Sequence, residues 1–193
     1  MTFPLDLHQT PYSCRGSYLA LSYLNENHQG RGNTAGLHLR TIRNCSITPL
    51  IARLDLHGNA ASAACTALLE DAALTLQCGD TRLEVCFADD RTLLLRGDPG
   101  CGLTLDFLTD NVPYDYIYPL LHEGRTLYMA NCYKNNSQYL IVPQKGQCEL
   151  DQQWEESSSL YSRLHFSGAE GFLFALVEIE TEWDLQLDRK SVV

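Results

Sequence analysis

Basic residues are scarce in this chain. Fourteen lysines and arginines stand against 24 aspartates and glutamates, a formal net charge of -10 at pH 7. A surface so biased repels phosphate backbones and anionic lipid headgroups, so neither nucleic acid nor membrane is expected as a partner. Long apolar runs are also missing. The longest, near Phe172–Val177, is strand length and far short of the ~20 residues that a membrane helix needs. The start, Met1-Thr2-Phe3-Pro4-Leu5-Asp6-Leu7-His8, has no basic cluster and no apolar run, so it does not read as a secretory signal. There is no C-x-x-C, no H-E-x-x-H, no G-x-S-x-G elbow, no P-loop and no dinucleotide fingerprint. The six histidines never stand at i, i+2 or i, i+4, which removes the usual histidine pair of a small metal-binding barrel. No metal, no cofactor and no catalytic residue is expected.

Cysteine, by contrast, is plentiful: Cys14, Cys45, Cys65, Cys78, Cys86, Cys101, Cys132 and Cys148. An even count invites a disulfide framework. A chain of 193 residues buries enough surface to fold without one. Several of these cysteines stand inside alternating patterns, where a thiol is a small apolar filler. The expectation is eight reduced thiols in a soluble, cytoplasmic protein.

The dominant periodicity is two. Leu50, Ala52, Leu54 and Leu56 alternate with Arg53, Asp55 and His57. Leu83, Val85 and Phe87 alternate with Arg82, Glu84 and Cys86. Leu103, Leu105 and Phe107 alternate with Thr104 and Asp106. Such alternation puts one face on a core and one in water. Turn chemistry at Gly79-Asp80, Asp89-Asp90 and Gly97-Asp98-Pro99-Gly100 separates the runs. The fold class expected is all-β, a large antiparallel two-sheet sandwich of about eleven or twelve strands. Phe172–Val177, apolar on both faces, should be a central strand, with Glu178, Glu180 and Glu182 turned to water. The alanine-rich stretch 59–71 reads as a short helix or an irregular connector. No composition shift splits the chain, and residues 1–187 read as one domain. Gly97, Gly100 and Gly102 read as turn glycines.

Two stretches carry candidate binding residues. Arg15, Ser17 and Tyr18, then Arg40 and Arg43, place arginines on or beside strands, where a planar guanidinium can meet a partner's carboxylate or backbone. Tyr114, Tyr116 and Tyr118 share one face if extended, and a row of rings can stack on sugars or cover a partner surface. The plainer readings are outward polar positions and a proline-bounded loop. Asp106, Asp110 and Asp115 are the nearest thing to a carboxylate pair, and they read as solvated acids of ordinary pKa.

Pro11-Tyr12-Ser13-Cys14-Arg15-Gly16-Ser17-Tyr18-Leu19-Ala20 and Gly36-Leu37-His38-Leu39-Arg40-Thr41 resemble the start of certain bacterial six-hairpin glycosidases. The resemblance covers the chain in strand rhythm and these two stretches at residue level. It implies an N-terminal β-supersandwich domain of an intracellular glycoside hydrolase. Such a domain packs on a catalytic (α/α)6 barrel of the same polypeptide and shapes it, and residues 188–193 would be the start of the linker to that barrel. That family's catalytic carboxylates sit in the barrel, so none can be carried over to this chain. The missing barrel would leave an apolar face open and favour a homodimer of the isolated domain. Two rivals are a free-standing carbohydrate-binding module using the tyrosine segment, and a structural self-associating domain without ligand.

Overall fold

The structure is a computed structural model that describes residues 2–17, 19–24, 36–41, 50–57, 66–107, 117–122, 126–131, 138–154 and 160–179. Among these residues there is no helix, hence none long and apolar enough to cross a membrane. The strands are β1 (Thr2–Pro4), β2 (Leu19–Leu24), β3 (Gly36–Thr41), β4 (Leu50–His57), β5 (Thr66–Glu70), β6 (Ala73–Cys78), β7 (Thr81–Phe87) and β8 (Thr92–Gly97). They continue as β9 (Gly102–Phe107), β10 (Ile117–His122), β11 (Thr126–Asn131), β12 (Gln138–Lys145), β13 (Gln147–Trp154), β14 (Leu160–Ser167) and β15 (Phe172–Ile179). They form a nine-stranded sheet, β1-β5-β6-β7-β8-β15-β12-β11-β10, and a six-stranded sheet, β13-β14-β9-β4-β3-β2. All pairings are antiparallel, and the molecule is the two-sheet sandwich that the alternation requires.

Twelve of the fifteen strands stand where the period-two pattern puts them. The other three are corrections to the count. β1 is three residues long and β10 carries Pro119, so neither shows a clean alternation. β5 falls inside the alanine-rich stretch, whose residues 66–70 are strand rather than helix; residues 59–65 lie outside the described part. Pairing with β1 and β6 overrides the helical propensity of that stretch.

The two sheets share one core. Leu74, Leu76, Leu83, Val85, Leu93, Leu95, Ile141, Phe172, Phe174 and Leu176 face Leu19, Leu21, Leu39, Leu54, Leu103, Leu105, Leu164 and Phe166. Phe166 of the smaller sheet stacks on Phe174 of the larger one, with ring centroids 3.9 Å apart. β15 lies between β8 and β12, the central position that its double apolarity implies. Its outward residues are not an open apolar patch: Ala175 is buried and Leu173 and Val177 are half-buried. The large exposed apolar side chains among the described residues are instead Phe3 and Tyr23, both away from β15. Glu178 also departs from expectation. It keeps the phase of Phe172, Phe174 and Leu176 and is 3% exposed, so the turn to water does not begin there.

Gly97 is not a turn residue. It ends β8 directly opposite Phe172, and a Cβ at Gly97 would lie 2.3 Å from the Phe172 ring. The glycine exists to make room for that ring.

The N-terminal segment bridges the sheets. β1 pairs with β5, and the Leu5 amide continues that ladder onto the Ala67 carbonyl. A few residues on, the Tyr23 amide donates to the Leu7 carbonyl, and Tyr12 and Leu21 exchange both backbone bonds on the edge of β2. The Tyr12 side chain then crosses back to the larger sheet: its hydroxyl lies 2.6 Å from the Ala72 carbonyl in the β5–β6 turn and 3.2 Å from that of Val85 in β7. Burial pushes the phenol up to about 12, so it stays a donor at all ordinary pH. Tyr12→Phe should therefore lower the unfolding free energy by about 1–3 kcal/mol, since the partly buried and buried carbonyls of Ala72 and Val85 lose the one donor they share. Urea denaturation checks this; a variant as stable as the parent would show that the bridge is dispensable.

Cysteine chemistry needs a further correction. Cys78, at the end of β6, is disulfide-bonded, while Cys14, Cys86, Cys101 and Cys148 are free. Those four cannot be its partner, which therefore lies outside the described residues. The bond takes two of the eight cysteines, so the denatured, unreduced protein should titrate no more than six thiols. Burial pushes the Cys101 and Cys148 thiols up to about 11, so both should stay unreactive toward alkylating reagents until the fold opens. A titre of eight would refute the disulfide.

Candidate functional site

Alternation puts every second residue of the smaller sheet on its outward face, and register decides which of them meet. The ladders align Ser22 of β2 with His38 of β3, His38 with Arg53 of β4, Arg53 with Asp106 of β9, Asp106 with Arg163 of β14, and Arg163 with Asp151 of β13. One polar row thus runs across all six strands. A second, shorter row sets Asp55 beside Thr104 and Thr104 beside His165, with Thr104 Oγ1 and His165 Nδ1 2.8 Å apart.

This face is not the wet surface that alternation alone suggests. His38 is fully buried, Ser22 and Thr104 are 3% exposed and Asp106 is 4% exposed. Asp106 holds the centre. Arg53 Nη2 donates to its Oδ2 at 3.0 Å, and Arg163 Nε lies 3.5 Å from its Oδ1, so each oxygen has its own guanidinium. The same Arg53 nitrogen reaches Asp55 Oδ2 at 3.2 Å. Burial pushes the Asp106 carboxyl above the ordinary carboxylate range, and Arg163 and Arg53 draw it back only in part. The expectation of a solvated acid with an ordinary pKa is therefore overturned for Asp106. Asp110 and Asp115 lie outside the described residues.

Two contacts to one nitrogen hold the Asp55 and Asp106 oxygens no farther apart than the sum of those distances. Glycosidase carboxylates span a comparable ~5–10 Å. Here, however, the Arg53 guanidinium occupies the space where a glycosidic oxygen would have to sit. The pair is bridged rather than poised, and the arrangement supports a rigid charged surface better than proton transfer. Among the described residues no group of three or more histidine, cysteine or acidic side chains could hold a metal ion.

The other candidates scatter. Arg15 is exposed, in the turn before β2. Ser17 is buried, and its Oγ accepts the Leu19 amide at 3.0 Å, a bond that starts β2. Arg40 stands on β3, half-buried, and its Nη1 donates to Ser22 Oγ at 3.1 Å. Tyr118 lies in β10, opposite Ala130. Tyr18, Arg43, Tyr114 and Tyr116 lie outside the described residues. The structure thus brings Arg40 to the polar face beside Ser22, and adds to it His38, Arg53, Asp106 and Arg163.

No family model matches the chain, and no curated protein matches it. Fold and site together define a class: an all-β, antiparallel two-sheet sandwich with a charged, partly buried polar row on the outer face of its smaller sheet.

The raised Asp106 pKa fixes a pH dependence. The folded state holds this proton more tightly than the unfolded chain, so the group's contribution is complete below the unfolded carboxylate pKa. It is lost as pH rises through the folded value. As pH rises from an ordinary aspartate pKa of about 4, the parent should lose stability that Asp106→Asn does not. Urea midpoints across that rise check it. Identical slopes in both proteins would mean that the two arginines cancel the burial cost.

Proposed function

We propose that this chain is a non-catalytic β-sandwich domain of an intracellular glycoside hydrolase, one that packs on and shapes a catalytic (α/α)6 barrel of the same polypeptide. The observation that carries this reading is the outward face of the smaller sheet. Its central acid is clamped on both oxygens while Arg53 and Arg163 stay partly exposed, so it presents fixed charge to a partner rather than a proton to transfer. The resemblance of Pro11–Ala20 and Gly36–Thr41 to six-hairpin glycosidases supplies the partner, and the two-sheet sandwich agrees with the supersandwich of those enzymes.

The glycosidase chemistry belongs to the barrel. Hydrolysis needs an acid that can deliver its proton to a leaving oxygen and a second carboxylate set against it. Asp106 meets neither need while Arg53 and Arg163 hold it. The compartment we propose is the cytoplasm, on the strength of the free thiols at Cys14, Cys86, Cys101 and Cys148. The Cys78 disulfide stands against it, because a reducing cytosol opens most such bonds.

Two measurements test the reading. The pure chain should turn over none of a broad panel of aryl glycosides; activity lost in Asp55→Asn or Asp106→Asn would make it an enzyme in its own right. The natural reading frame should continue past Val193 into a long stretch of helical periodicity. A stop codon there would end the barrel hypothesis and favour a free-standing module.

A further inference from the structure

Among the described residues of the outward face, two arginines have carboxylate partners and a third has none. Arg53 has Asp106 and Asp55, and Arg163 has Asp106. Arg40, on the same face, has a single neutral partner, the Ser22 hydroxyl, and its Nε is buried without any acceptor. Desolvation lowers its pKa, and no nearby carboxylate opposes that shift. A half-buried guanidinium without a counter-charge is costly, and an arriving anion removes the cost. The backbone is irregular at the same place. Leu39 pairs with Ala52 but Arg40 pairs with Leu50, so β4 carries a bulge at Ile51 directly beside Arg40. Bulges bend a strand and re-aim the side chains next to them, and they concentrate beside functional sites.

We propose that Arg40, held by Ser22, is the anchor of a carboxylate site that receives an acidic side chain from the protein surface on which this face docks. The proposal rests on the docking reading above and names its chemistry. Ser22 takes Nη1 and the protein itself encloses Nε, so Nη2 is the donor that remains to meet a carboxylate oxygen. Ser22 is itself 3% exposed and sits in the β2–β3 ladder opposite His38, so the guanidinium is positioned before any partner arrives.

The test uses the whole 193-residue chain and acetate as the probe. Backbone amides of Ala20 and Ser22 are followed by NMR at constant ionic strength, with chloride as the exchanged anion. Acetate should shift both saturably. Arg40→Gln should abolish the response. Arg40→Lys, which keeps the charge but loses the guanidinium that Ser22 orients, should weaken it about tenfold. Ser22→Ala, which leaves Arg40 in place, should weaken it severalfold and stands in if the Arg40 variants do not fold. A non-saturable response, or one that survives in folded Arg40→Gln, overturns the site. Phosphate binding tighter than acetate overturns the carboxylate assignment. Glucuronate binding far tighter than acetate would make the source a sugar acid rather than a protein side chain. None of these measurements needs the barrel. A stop codon after Val193 together with saturable acetate binding would remove the barrel alone, and a continuing frame without acetate binding would remove the Arg40 site alone.

Discussion

A two-sheet sandwich needs its layers tied together as well as packed, and in this chain the tie runs through one tyrosine. Tyr12 has its backbone on the edge of the smaller sheet and its hydroxyl on the Val85 carbonyl of the larger one and the Ala72 carbonyl of its β5–β6 turn. The segment leading to it pairs first with β5 and then with β2, so residues 2–12 bridge the same side of both sheets. Edge strands expose unpaired amides and carbonyls that invite association. The bridge covers one edge of β2. β1 is short and contains Pro4, β10 contains Pro119, and β13 carries Glu149 and Asp151. Each edge of the sandwich is thus blunted by a different means, and only the bridge also fixes how the sheets face each other.

Charge on the smaller sheet obeys the same logic of enclosure. An acid at a strand's outward position is ordinarily solvated and chemically ordinary. Asp106 is enclosed instead, and enclosure makes its ionised form costly unless cations stand on both sides. Arg53 and Arg163 reach it from neighbouring strands because register places all three in one row. Once those two arginines are engaged, Arg40 is what remains to meet something else.

Alternation made most of the fold legible. The polar and apolar phases of β4, β7 and β9 are written in the sequence, and so is the central place of β15. Pairing partners are not. A period-two pattern says which face a residue takes but not which strand lies beside it. The sequence therefore shows Asp106 as one more outward acid, while the ladder shows it between two guanidiniums. Arg53 and Arg163 were visible as outward residues with no sign that they converge. β5 was hidden because alanine-rich runs carry no face, and Glu178 misled because its charge outweighed its phase. Arg40 is legible as an arginine on a strand, but its lack of an acid among the described residues needs coordinates. The Cys78 bond had no local signature at all.

Gly97 and Phe172 occupy what is in effect a single shared volume. The ring takes the space that a side chain at position 97 would use. Substitutions at the two positions are therefore coupled, and a larger residue at 97 is admissible only with a smaller one at 172. A double-mutant cycle on this pair would show marked non-additivity, whereas either position combined with a distant core residue such as Leu21 would add simply. For anyone redesigning this sandwich, the two positions are one variable, and a library that varies them separately spends most of its members on chains that cannot pack.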